Sequence, residues 1–391
     1  MRVHRRSFLT GTGLLLGAIT SRLQAAPGDP RIDVPAETKL THVSLSADTR
    51  RAVTTDASGA VRVWDTEQGR KLCEVPGSLF VYATLSPEGR HLAVSDYREG
   101  QSWAALYEAD SGKRLWEQKL DGRTEFHFAR DGRSLLLLTA LPTRRLAYTM
   151  AVLDPADGRR LWGTGRTWDQ AVAALSPTSD RVALRSTGGA QPVVTLHDLR
   201  SGEARGEVTP ERWVGQLAFS ADGKRLASSD LGGTVELWDV GTLRRERVLS
   251  QPPAGLAGMR LALHFAPVGP LLVTAPLDAQ RGALELWNFV VGVRGPKLNE
   301  AVGMQAPVFS PDGKQLAATN SQGTLRVWEL ATGAVLRTFE TSAPDHLRRS
   351  DSDSPPYRFS PDSRSLVAVS PEGLRRWDFR TGTQERFFPL R

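Results

Sequence analysis

A chain of 391 residues with 40% hydrophobic content is long enough to bury a large core, and its 36 glycines and 24 prolines suit a turn-rich protein. The formal net charge of +7 is no nucleic-acid signature: residues 1–25 carry Arg2, Arg5, Arg6 and Arg22 without an acid, the remainder is near +3, and no basic run interleaved with aromatics follows. The single cysteine, Cys73, excludes an intramolecular disulfide and any multi-cysteine metal site.

Residues 1–26 read as an export segment. A positive start is followed by an apolar run from Gly11 to Ile19, then Arg22 and the small pair Ala25-Ala26. Arg5-Arg6, with Phe8-Leu9 just beyond, resembles a twin-arginine signal, which implies a periplasmic or otherwise exported bacterial protein. The apolar run is short for a transmembrane helix, so no stable membrane span is expected once the signal is removed. Residues 27–40 form a lead-in. Within it Arg31–Val34 is one candidate for a strand that latches the end of the fold, and Glu385–Leu390 is the other.

From residue 41 to 391 one phrase is repeated. Ser-Asp-Gly-type turns begin at Ser46, Ser86, Ala129, Ser176, Ser220, Ala266, Ser310 and Ser360, spaced by 40 to 50 residues. A second column follows in register: Trp64-Asp65, Tyr107-Glu108, Leu153-Asp154, His197-Asp198, Trp238-Asp239, Trp287-Asn288, Trp328-Glu329 and Trp377-Asp378. Five residues after the first member of each pair stands a glycine, and Leu243 alone breaks that column. Between the turns the residues alternate with period two, as in Thr234–Trp238. Each unit is therefore a four-stranded antiparallel sheet too small to bury its own faces.

The period and the closing Trp-Asp resemble the WD40-repeat family. That resemblance implies an all-β fold, an eight-bladed β-propeller of four-stranded antiparallel blades, with seven blades as the alternative. It is clearest in units one, five, seven and eight. The family's Gly-His before the first strand is absent, and its acid in the second turn is replaced by Ser58, Gly232, Gln322 and Glu372, so its His–Ser–Asp–Trp network is expected to be missing. Units two and three also carry Ala109–Trp116 and Ala156–Trp162, which look like the blade motif of quinoprotein-type propellers.

In each unit the residues one and three positions before the first turn, such as Leu217 and Phe219, share a face and are read as core. On one rim the turns are uniform. On the other, the stretches 96–102, 139–147, 250–258, 275–282 and 341–356 vary, which is where a repeat scaffold places recognition. Tyr97, Arg98, Arg144, Arg145, Trp168 and Trp213 fall there as candidate partner anchors, Trp168 and Trp213 being equally readable as plugs between blades. Cys73 reads as a buried small apolar residue.

The seven histidines offer no metal-binding spacing, and neither a nucleophile elbow nor a phosphate loop occurs. His127 and His264 occupy matching first-strand positions near the expected channel. The expectation is a non-catalytic protein–protein interaction scaffold without a cofactor. The alternative is a quinoprotein-like or lactonase-like propeller that binds a cofactor or hydrolyses a substrate.

Overall fold

The computed structural model describes residues 40–391 apart from 79–80, 142–146, 166, 169–171, 179, 187–190, 251–259, 278–281, 341–354, 371–372, 380–383 and 390–391. The export segment with Arg5 and Arg6, the lead-in to residue 39, and Arg144 and Arg145 lie outside these. Eight sheets follow one another along the chain, each with its four strands in sequence order and antiparallel. They form an eight-bladed β-propeller whose blades span 40–75, 82–120, 123–168, 173–208, 214–250, 261–294, 304–340 and 357–389. Blade three gains a short fifth strand, Thr167–Trp168, through Trp168 opposite Ala147. No helix occurs among the described residues.

The register repeats. Phe219 faces Leu226, Phe309 faces Leu316, and Phe359 faces Leu366, so the same first-strand position meets the same second-strand position in each blade. Apolar clusters form between neighbours. Ala83, Leu85 and Leu92 of blade two pack on Val53, Val61 and Val63 of blade one, and Tyr357 and Phe359 of blade eight pack on Leu325 and Val327 of blade seven.

Among the described residues, closure uses side chains. Val367, Val369 and Leu374 of blade eight meet Leu40, Val43, Leu45 and Trp64 of blade one. Of the two latch candidates, the C-terminal one is a strand: Gln384–Pro389 completes its own blade. Residues 31–34 are outside the described set.

The turns before the second strand are built by the Ser and Asp of the repeat. Ser220 Oγ donates to Asp222 Oδ1 at 2.6 Å and accepts from Arg225 N at 2.9 Å, and Asp222 Oδ1 accepts from Lys224 N at 3.1 Å. The same set recurs at Ser310 with Asp312 and at Ser360 with Asp362. In the turns after Trp238-Asp239 and Trp64-Asp65 the acid caps amides: Asp239 Oδ1 accepts from Thr242 N at 2.7 Å, and Asp65 Oδ1 accepts from Glu67 N and Gln68 N at 2.9 Å. The acceptor of the middle turn stands two residues earlier than the family position, at Asp56, Asp230 and Asn320. Each of these caps two amides, including those of Ser58, Gly232 and Gln322. Part of the network expected to be missing is present, since Trp64 Nε1 donates to Thr54 Oγ1 at 2.8 Å and Trp238 Nε1 to Ser228 Oγ at 3.0 Å.

Two stretches expected to be loops are largely strand. Asp96, Tyr97 and Arg98 pair with Trp103, Ser102 and Gln101, and Glu99 and Gly100 make a tight turn with φ of 51° and 79°. Two positive φ values are what a two-residue hairpin requires. Blade three likewise keeps its ladder to Leu141 opposite Ala147.

The break in the glycine column has a physical reason. After Gly69, Gly112 and Gly158 the fourth residue lies on the fourth strand and covers the corresponding turn of the next blade. Trp116 covers Gly158, and Trp162 covers Gly202, where an added Cβ would sit 2.8 Å and 2.5 Å from the respective rings. Their indoles donate to the carbonyls of Pro155 and Leu199, both at 2.8 Å. Cys73 does the same over Gly112, its thiol 3.1 Å from Ala109 O. At the next joint the sizes are exchanged. Gly206 stands where the tryptophan was, and Leu243, at φ 60°, fills the space from the other side. The tryptophans of the quinoprotein-like motifs thus act in blade packing.

Removing Trp162 with Ala should lower the unfolding free energy by about 2–3 kcal/mol, and Gly202→Ala by about 2 kcal/mol through ring overlap and left-handed strain. Leu243→Gly relieves that strain but empties the space over Gly206, and a net loss of about 1 kcal/mol is expected in denaturant titration.

The turn acids also set the acid limit. Thr242 holds the Asp239 carboxyl below its ordinary range, and Ser360 and the Arg364 amide do so for Asp362. Both therefore bind protons less readily folded than unfolded. Their stabilisation is complete above the unfolded value near pH ~4 and disappears as pH falls through the depressed folded value. Below pH ~4 stability should fall less steeply in Asp239→Asn/Asp362→Asn than in the wild type; an equal slope in both proteins would remove these turns as the cause.

Candidate functional site

The variable rim is formed by the loops between second and third strands and by the connections between blades. On blade two, Tyr97 stands 43% exposed at the tip of the extended hairpin. Arg98 is committed: it pairs with Asp96 at 3.0 Å and Glu117 at 2.5 Å, and its guanidinium lies 5.3 Å from the centroid of Trp103. Lys119 lies 5.5 Å from the same ring. Glu117 raises the Arg98 pKa, so this guanidinium stays charged.

Trp213, in the connection into blade five, is 40% exposed, whereas Trp64, Trp238, Trp287, Trp328 and Trp377 are buried and Trp103, Trp116 and Trp162 half-buried. It is therefore no plug between blades. Trp168 is placed by its backbone only, on the third-strand edge of blade three. The rim exposes further apolar side chains that sequence reasoning missed: Leu231 in the middle turn of blade five, Leu277 after the second strand of blade six, and Val302 before blade seven, the last 74% exposed. Their signal in the sequence is a single apolar residue inside a turn, as in Asp230-Leu231-Gly232-Gly233.

The opposite rim is uniform in backbone but not in chemistry. Blade six exposes Val268, Val290, Val291 and Val293 there. Val290-Val291 take the place that Glu67-Gln68 hold in blade one.

Along the channel, one layer of first-strand side chains can be defined by register. His127 faces Leu136, His264 faces Val273, and Arg358 faces Val367. Ser44 and Thr84 stand at this level opposite Val53 and Ala93, and their hydroxyl oxygens are 3.5 Å apart across the joint between blades one and two. Ala174, Ala218 and Val308 complete the layer. It contains no carboxylate. Nearer the variable rim, His42 packs on Tyr82 at 4.7 Å, and burial pushes its pKa down to about 4 against an opposing bond from the Ala83 backbone. His42 is therefore neutral at ordinary pH. Among the described residues no three His, Cys, Asp or Glu side chains gather closely enough to hold a metal ion. Cys73 is buried, and burial pushes its thiol up to about 11, so little thiolate is present near neutral pH.

Known proteins agree with this architecture. The WD domain, G-beta repeat family matches residues 206–239 and 301–329. The Drosophila melanogaster protein named "Protein LST8 homolog" is 27% identical over 217 residues, 52% of this chain and 63% of that protein. The Bos taurus "Target of rapamycin complex subunit LST8" is 24% identical over 212 residues, 52% of this chain and 61% of that protein. The chain thus spans less than two thirds of the length of these relatives. Two solved structures share the fold at 18% identity. The computationally designed Ika8 protein has a TM-score of 0.62 over 87% of this chain and 96% of its own. The Dos1 propeller has a TM-score of 0.56 over 76% and 79%. The chain is a WD40-like β-propeller. No helix among the described residues is long and apolar enough to cross a membrane.

Proposed function

We propose that this propeller is an exported, non-catalytic scaffold that assembles other proteins on its variable rim. The observation that carries the reading is Trp213, the exposed indole among the described tryptophan side chains, sharing its rim with exposed Leu231, Leu277 and Val302 on blades five to seven. Large amphipathic rings held on a rigid frame give contact area at small entropic cost, which is why they dominate interface energetics. The bovine relative's name makes that protein a subunit of a complex, and the same use of the fold is proposed here. Arg98 plays a lesser part, because its charge is already satisfied by Asp96 and Glu117. Export rests on Arg5-Arg6 and the apolar run behind them.

Affinity capture from extracts of the native host, with recovered proteins quantified, tests the rim. Trp213→Ala combined with Val302→Ser should reduce partner recovery at least ~10-fold, the equivalent of about 1.4 kcal/mol. Val290→Ser/Val291→Ser on the opposite rim should leave it unchanged. Equal recovery by wild type and the Trp213 variant would sink the assignment. For export, a reporter fused behind residues 1–40 should reach the periplasm, and Arg5→Lys/Arg6→Lys should hold it in the cytoplasm; unaltered export by that variant would end the twin-arginine reading.

A further inference from the structure

We infer that the ring binds an oxyanion, a carboxylate or phosphate group, on its axis through the guanidinium of Arg358, with His127 and His264 at the same level. The inference is independent of the rim and begins with register. The three residues stand two positions before the turns at 129, 266 and 360, and face Leu136, Val273 and Val367. They belong to blades three, six and eight, so they approach the axis from different sides of the ring. The second-strand residues behind them are buried and apolar. Neither Arg358 Nε nor His127 Nε2 finds a protein partner among these neighbours, which leaves the axis open to them.

Arg358 is the anomaly. Among the described residues no carboxylate, carbonyl or hydroxyl accepts from its buried Nε, and its pKa falls for loss of solvent alone. Arg51, Arg98 and Arg245 move the other way, each raised first by a bonded carboxylate. His127 Nε2 is likewise buried without a protein partner. The rest of the layer supplies two hydroxyls, Ser44 and Thr84, and no negative charge. The acid nearest along the strand, Glu125, is two residues from His127 toward the variable rim and exposed.

A half-buried guanidinium without a counter-charge is a cost that packing does not require, because an apolar residue of equal length would serve there. The guanidinium presents a planar fork of donors that matches two oxygens of a carboxylate or phosphate, and imidazole N–H groups and hydroxyls add single donors to the remaining oxygens. An anion entering along the axis would restore the missing charge.

Thermal unfolding of the purified full chain, compared in sodium chloride, acetate and phosphate at equal ionic strength, tests this. The midpoint should rise in acetate or phosphate above chloride, and increasingly with anion concentration, as ligand linkage requires. Whichever salt acts names the source as carboxylate or phosphate. Arg358→Met should raise the midpoint in chloride, by about 2 °C or more, because it removes a half-buried charge without a partner, and should abolish the anion-dependent rise. Arg358→Lys, which keeps the charge but not the fork, should reduce the rise several-fold. His264→Gln should weaken it less. Three outcomes overturn the inference: identical midpoints of the wild type in all three salts, an undiminished anion effect in Arg358→Met, or a lower midpoint of Arg358→Met in chloride, which would make Arg358 a structural residue.

Discussion

A four-stranded blade has two apolar faces and nothing of its own to cover them, and every feature of this molecule answers that need. Each face is buried against a neighbour, so the chain reaches a stable state only when the last blade meets the first. Among the described residues that meeting is made by side chains. Gln384–Pro389 completes the blade it belongs to, and Leu40, Val43, Leu45 and Trp64 receive Val367, Val369 and Leu374. The described part of the closing joint is thus the same kind of joint as the others, an apolar cluster whose strength comes from buried area.

The joints are also matched at their outer edges. Cys73, Trp116 and Trp162 each cover a glycine of the following turn and donate to the carbonyl beside it. Glycine serves twice there, supplying positive φ and leaving room for the covering side chain. The Gly206–Leu243 joint shows that the constraint is on the pair. When the covering residue is lost, the turn residue grows, accepting an unfavourable φ in return for filled space.

Most of the fold was legible because two columns held register over the whole repeat, and register in a sheet decides which face a side chain occupies. What escaped was what register alone does not encode. Tyr97 and Arg98 looked like loop residues because their segment is charged and ends in Glu99-Gly100, yet those two residues close a hairpin that lengthens the strands. Leu243 looked like decay of the repeat until its partner four residues past the previous glycine was known. At the candidate site, the exposure of Trp213 depends on how its connection meets blade five; standing outside the Trp-Asp column separates it from the buried Trp238 but does not say that it is exposed. Leu231 and Val302 are single apolar residues in turns, too slight a signal to read. His127 and His264 could be placed in the channel by position. Arg358 could not be singled out among many scattered arginines, since its peculiarity is the lack of a partner and not its place in the sequence.

The closed ring explains how such a residue can be tolerated. A half-buried cation without a partner subtracts from stability, and a small domain has little to spare. In a propeller the loss falls on a structure whose cohesion is spread over all its joints. The closing joint alone buries Leu40, Val43, Leu45 and Trp64 against blade eight, and each fully buried large apolar side chain contributes about 1.5–3 kcal/mol. Because the cost sits on the axis, it is borne at the narrow inner edge and leaves the outer-edge packing of Trp116, Trp162 and Leu243 untouched. The same separation holds for the rims. Turn acids and glycines fix the backbone of one rim, and cross-blade packing fixes the blades, so the connections carrying Trp213, Leu231 and Val302 can change without disturbing either. A scaffold that stores its stability between blades frees both its axis and its variable rim to carry residues chosen for binding.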